Sequence, residues 1–232
     1  MLFDTHAHLE DEKFDDDRAE VIENIKNAGI GFVVNPGCDV ESSKKAVKLS
    51  EEYDFIYAAV GVPPHDTEDM TPSTLDEIEK LCSHKKVKAV GEIGLDYYYD
   101  FSAKEKQIYW FEEQMELAKK VKLPVIIHDR DAHRDTIDIL KKKHVEEVGG
   151  VMHCFSGSVE MAEEALRLGM YISVAGPVTF KNSARLPQVV LRVPNDRLLI
   201  ETDSPYLTPE PMRGKRNDSS KIIYTAKKIA EI

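Results

Sequence analysis

Six residues of two chemical types could do chemistry together: His6, His8, Glu92, His128, His153 and Asp203. Each follows a short apolar run directly or nearly so. His6 and His8 form a His-x-His pair, and on an extended strand residues i and i+2 face the same side, so both imidazoles can grip one ion. A lone histidine at the end of a buried strand is more often a hydrogen-bonded rim residue than a ligand. Six imidazoles and carboxylates gathered at one place are costly to bury unless they bind cations. A carboxylate such as Glu92 can bridge two ions, because its oxygens reach separate cations and its charge offsets their repulsion. The expectation is therefore two divalent ions, His6, His8 and Asp203 on the first and His128 and His153 on the second, with Glu92 between. Mixed nitrogen and oxygen donors without thiolate suit Zn, Mn or similar ions, with Mg a less natural occupant of the imidazole-rich side.

Those residues must be positioned by an alternating chain. Eight apolar, β-rich runs, Leu2–Phe3, Gly31–Val34, Phe55–Val60, Val87–Val90, Pro124–Ile127, Gly150–Met152, Met170–Val174 and Leu198–Ile200, alternate with stretches of helical spacing. Continuous rather than alternating apolar character indicates strands buried on both faces, as in a parallel sheet covered by helices. The 232 residues average about 29 per strand and helix pair, close to the ~31 of a compact (β/α)8 barrel. One domain over 1–232 with the TIM-barrel fold is expected, and in such a barrel all strand ends, hence all six residues, meet at one mouth. An open doubly wound sheet would carry a Gly-rich loop after the first strand, where this chain has Asp4-Thr-His-Ala-His8.

The composition, 42% apolar and 31% charged, describes a folded chain that can cover its core, and no apolar run approaches the ~18 residues of a membrane span. A cytoplasmic location is the default, given an N-terminus without a signal-peptide pattern. Cys38, Cys82 and Cys154 form no Cys-x-x-Cys pair and are expected to be reduced packing residues. The net charge of −11 argues against binding polyanions through overall charge, but it does not exclude a local basic site. Arg213, Lys215 and Arg216 crowd the loop after the last strand, a usual barrel location for phosphate contacts. Arg130 can hold a phosphate bidentately or pair with Asp129 or Asp131. Ser156 can donate to phosphate, whereas Ser158 suits a helix cap. One of Tyr97, Tyr98 and Tyr99 can stack on an unpaired base. Asp203 is the candidate general base, Glu92 shares the catalytic centre as the bridging ligand, and Glu201 is a candidate support behind the ligands.

The segments Phe3-Asp-Thr-His-Ala-His-Leu9, Gly91-Glu-Ile-Gly-Leu-Asp-Tyr-Tyr98, Pro124-Val-Ile-Ile-His-Asp-Arg130, His153-Cys-Phe-Ser-Gly-Ser158, Glu201-Thr-Asp-Ser-Pro-Tyr-Leu-Thr-Pro209 and Arg213-Gly-Lys-Arg-Asn217 together closely resemble the TatD family of metal-dependent deoxyribonucleases. The resemblance runs over essentially the whole chain. It implies a cytoplasmic barrel of the amidohydrolase superfamily that hydrolyses phosphodiester bonds in DNA, with no membrane and no obligate protein partner, and it leaves open whether RNA is also cut. Its metal positions fall on the same six residues. Where many members have Gly-x-His-Pro-His, this chain has Gly61-Val-Pro-Pro-His65, leaving His65 as a substrate contact and Pro63 in place of a histidine. Relatives also usually continue through further helical sequence beyond the position of Ile232. The rival readings are an amidase, lactonase or deaminase acting on carbon, and a noncatalytic metal-binding protein.

Overall fold

A computed structural model describes residues 1–99 and 101–232. Eight parallel strands stand side by side in chain order: β1 (Leu2–Asp4), β2 (Ile30–Pro36), β3 (Ile56–Val60), β4 (Val87–Asp96), β5 (Val125–Arg130), β6 (Gly150–Met152), β7 (Tyr171–Val174) and β8 (Leu198–Ile200). Each is followed by a helix: α1 (Arg18–Asn27), α2 (Val40–Glu52), α3 (Pro72–Cys82), α4 (Lys104–Val121), α5 (His133–Lys142), α6 (Val159–Arg167), α7 (Leu186–Arg192) and α8 (Ile222–Glu231). The sheet closes between its first and last strands, where the Thr5 amide donates to Ile200 O, the His8 amide to Ser204 O and the Asp203 amide to His6 O. This is a (β/α)8 TIM barrel, in which each of the eight apolar runs contributes a strand and a helix follows each strand. Among the described residues no helix is long and apolar enough to cross a membrane.

Local chemistry explains the boundaries. Asp39 and Thr71 cap α2 and α3 through reciprocal bonds with Ser42 and Thr74, and Ser158 accepts from the Met161 amide at the start of α6, as its position suggests. The main core lies between sheet and helices, around Phe111, Met115, Ile127 and Leu140, while small residues such as Ala59 and Ala89 fill part of the barrel interior.

Two strands are longer than their apolar runs suggest. β4 does not end at Glu92 but continues through Asp96, and β5 continues past His128 to Arg130, the two strands pairing as far as Asp96 with Arg130. The reason is Gly94, at φ 144°: a Cβ there would lie 2.0 Å from His128 O, so only glycine lets these strand ends approach and carry Glu92 and His128 side by side. Two buried glutamines of α4 brace the same region. Gln107 bonds the Asp96 main chain through both amide atoms, and Gln114 does the same for Val62.

The seam between β1 and β8 is held by Asp4, fully buried, whose carboxylate accepts from the Thr202 amide and hydroxyl and from the His6 amide. Burial outweighs these bonds and raises its pKa to about 7. A carboxyl raised in the folded state favours folding in its protonated form, so its contribution is fully present below about 4 and is lost as pH rises through about 7. Urea unfolding across this range should therefore show wild type losing stability with rising pH relative to Asp4→Asn; a constant difference would contradict the assignment.

Candidate metal centre

All six sequence-predicted ligands meet at the C-terminal mouth of the barrel. His6 and His8 sit just beyond β1 and approach each other through Nε2, 3.1 Å apart. His8 Nδ1 lies 3.2 Å from Pro36 O, and a carbonyl can only accept, so Nδ1 carries the hydrogen and Nε2 turns its lone pair inward. Asp203 Oδ1 lies 3.8 and 3.7 Å from the two Nε2 atoms. Opposite them, His128 Nδ1 and His153 Nε2 lie 2.6 and 3.3 Å from Glu92 Oε1. Glu92 divides between the two sets: Oε2 is 3.4 Å from His6 Nε2 and 3.9 Å from His8 Nε2, while Oε1 faces His128 and His153.

Donors converging at these separations suit divalent ions with bonds near 2 Å. The groups His6, His8, Asp203 and Glu92, His128, His153 each bring their ligand atoms within 4.8 Å of one another. Burial disfavours the charged form of Glu92, but His153 and His128 outweigh it and hold the carboxyl well below the usual range. Burial likewise opposes protonation of His128, yet bonds to Asp96 and Glu92 carry its pKa to about 9. Asp203 is pushed upward by burial, only partly offset by His153, His6 and His8. In the metal-free chain the carboxylates are thus paired with protonated imidazoles, whose protons a bound cation would displace.

Carboxylates stand behind the imidazoles. Glu201, fully buried, takes the Cys154 amide at 2.6 Å and lies 3.0 Å from His153 Nδ1. Glu10 lies 3.4 Å from His8 Nδ1 and is itself held by Asn35. Asp96 contacts His128 Nε2 at 3.0 Å. Glu10, Asn35 and Asp96 were not singled out from the sequence. Asp96 follows Glu92 by four residues on the same strand, the spacing of one strand face, which is the signal that could have found it.

A cavity of about 640 Å³ opens over this cluster, lined by His65, Tyr99, Arg130, Cys154 and Ser156 among others. Arg130 lies over the rings of Tyr98 and Tyr99, at 3.9 and 4.8 Å. Asp129 is taken by His133 and by Thr136. Tyr99 stacks on Phe101, which is 64% exposed, whereas the Tyr97 hydroxyl donates to Asp135 on α5. The Cys154 thiol is pushed upward by burial, as suits a packing residue rather than a nucleophile. The basic loop is placed differently from expectation. Arg216 turns away to bond Asp17 and Lys13 O, because an acidic run precedes α1 and draws it there. Arg213 lies over Phe180, and both arginines line a separate depression with Lys13 and Lys215, sharing only Tyr206 and Leu207 with the cavity over the cluster.

A parallel barrel whose mouth gathers four imidazoles and Asp203 around a shared glutamate has the architecture of a metal-dependent hydrolase. The chain belongs to the TatD family: the family model described as TatD related DNase matches residues 3–232. It is 52% identical over 232 residues to the uncharacterized metal-dependent hydrolase YabD of Bacillus subtilis, covering 100% of this chain and 91% of that protein. It is 32% identical over 235 residues to the 3′-5′ ssDNA/RNA exonuclease TatD of Cronobacter sakazakii, covering 99% and 89%. The crystal structure of the TatD homologue YjjV from Escherichia coli K12 superposes with a TM-score of 0.93 at 32% identity, covering 99% of this chain and 89% of that one.

Metal binding should be visible as stabilisation. With Mn²⁺ at 100 times its dissociation constant, about 2.7 kcal/mol is expected, roughly 5–10 °C in melting temperature for a chain of this size. The shift should vanish in the His6→Ala/His8→Ala/His128→Ala variant; an undiminished shift would place binding elsewhere.

Proposed function

We propose that the protein hydrolyses phosphodiester bonds at the ends of single-stranded DNA, and of RNA as a second substrate, with two divalent ions as cofactors. The observation that carries this reading is the division of Glu92, one oxygen toward His6 and His8 and the other toward His128 and His153. Two divalent ions held there, Zn, Mn or Mg, would polarise a phosphate oxygen and acidify the attacking water.

The chain's own residues supply the rest. Asp203, raised by burial and open to the cavity, accepts the proton of the attacking water. Arg130, lining the same cavity, offers a planar donor pair to the non-bridging oxygens, and Ser156 and His65 flank it. Tyr99 and Phe101 present aromatic faces beside the phosphate position, where an unpaired base can stack and a paired one cannot. Arg213, in the adjoining depression with Lys13 and Lys215, sits where the neighbouring backbone phosphates would run. Arg216, paired with Asp17, belongs to the support of that depression. The Cronobacter relative's name, a 3′-5′ ssDNA/RNA exonuclease, agrees with this substrate class.

An end-labelled single-stranded oligonucleotide should be shortened stepwise in Mn²⁺ and left intact in EDTA. Asp203→Asn should lower kcat by about 100-fold or more. Phe101→Ala should raise KM several-fold with kcat little changed. If the oligonucleotide stays intact while a lactone or amide turns over with Mn²⁺, the substrate is carbon-centred and the nuclease reading is lost.

A further inference from the structure

Asp96 occupies a position that the proposed chemistry does not use. Its side chain is almost fully buried, and each of its oxygens serves a different structure. Oδ2 accepts from His128 Nε2 at 3.0 Å and from His65 Nε2 at 2.9 Å. Oδ1 accepts from the Tyr98 and Tyr99 amides at 2.9 and 2.8 Å. Its own main chain is locked from behind by both amide atoms of Gln107. One carboxylate therefore joins a candidate metal ligand, the one histidine of the β3 loop and the turn that carries the aromatic wall.

We infer that Asp96 is a positioning residue that couples the metal centre to the substrate-facing loops. A carboxylate oxygen only accepts, so both imidazole nitrogens that reach Oδ2 must be N–H. His128 Nδ1, 2.6 Å from Glu92 Oε1, is by the same rule N–H in the metal-free chain, and it is the nitrogen that an ion would take on displacing that hydrogen. For His65 the contact leaves Nδ1 as the nitrogen that is not engaged by Asp96, on a ring that lines the cavity. The His65 ring meets those of His128, Tyr99 and Phe101 edge to face, at 5.1, 5.7 and 5.9 Å, so its orientation is transmitted to the aromatic wall as well. A shift of His128 on binding an ion is felt at His65 and at Tyr98–Tyr99 through a single rigid group. Glu201 supports His153 and the neighbouring Cys154 amide, and Glu10 supports His8, but neither joins its imidazole to a second histidine.

The inference rests on the metal-centre reading for its effect on ion affinity, and on hydrogen-bond geometry alone for the imidazoles. Asp96→Asn separates the two. Asparagine keeps an acceptor for the Tyr98 and Tyr99 amides but places an NH2 group against two imidazole N–H groups, so His128 must turn its Nε2 lone pair to that amide and its Nδ1–H toward the site. Two-bond ¹H–¹⁵N spectra of the zinc-loaded protein should show Nε2–H on both His65 and His128 in wild type, with the His65 form altered in Asp96→Asn. Zinc affinity, read by competition with a chromophoric chelator, should fall about 10–100-fold at one site in Asp96→Asn. His65→Ala should weaken zinc binding by less than Asp96→Asn does and raise KM for the oligonucleotide, and in the Asp96→Asn background it should change neither further. Nδ1–H on His65 in wild type, or wild-type zinc affinity with additive KM effects in folded Asp96→Asn, would overturn the inference. If wild type takes up no zinc, the metal-centre reading fails, and the His65 spectrum of the metal-free chain still decides whether Asp96 holds that ring. Should Asp96→Asn not fold, the wild-type spectra and the His65→Ala affinity and KM decide it.

Discussion

The carboxylate of Glu92, buried at the barrel mouth and divided between two pairs of imidazoles, is the constraint from which the rest of the site follows. An ionised carboxylate with 6% exposure is costly unless its charge is met on both sides. Here His6 and His8 meet one oxygen, and His128 and His153 the other. Those imidazoles need their outer nitrogens fixed, and Pro36 O, Asp96 and Glu201 stand behind three of them. Removing one member of such a set exposes the others to the full cost of burial, which makes the cluster an all-or-none construction.

The fold serves that construction through a few specific devices. Gly94 allows the ends of β4 and β5 to approach closely enough for Glu92 and His128 to face each other. Asp4 draws β1 against the segment after β8, which sets His6 and Asp203 on one side of the mouth. Gln107 and Gln114 tie the loops after β4 and β3 to a single helix. The helices themselves are ordinary amphipathic covers, and the function-bearing atoms hang from strand ends that these contacts hold rigid.

Much of this was legible in the sequence because strand ends in a parallel barrel share a face, so a histidine after an apolar run carries its position with it. His6, His8, His128, His153, Glu92 and Asp203 could be grouped on that ground alone. The length of β4 was not legible, since Glu92, Gly94 and Asp96 interrupt the apolar pattern that marks a strand, and the interruption is the site itself. Buried polar supports such as Gln107, Gln114 and Asn35 look like surface residues in sequence, because their burial depends on hydrogen-bond partners that only the fold brings to them. The partner of Arg216 was not legible for a related reason: its basic neighbours suggested a phosphate contact, while Asp17, 199 residues away in sequence, pairs with it.

The central claim is that one carboxylate is shared by two ions. Electron paramagnetic resonance of the protein with two equivalents of Mn²⁺ tests it most directly, since ions bridged by a carboxylate are close enough to couple magnetically. The account predicts a coupled signal in wild type that collapses to isolated six-line spectra in Glu92→Gln. Two bound ions giving only isolated spectra in wild type would contradict it.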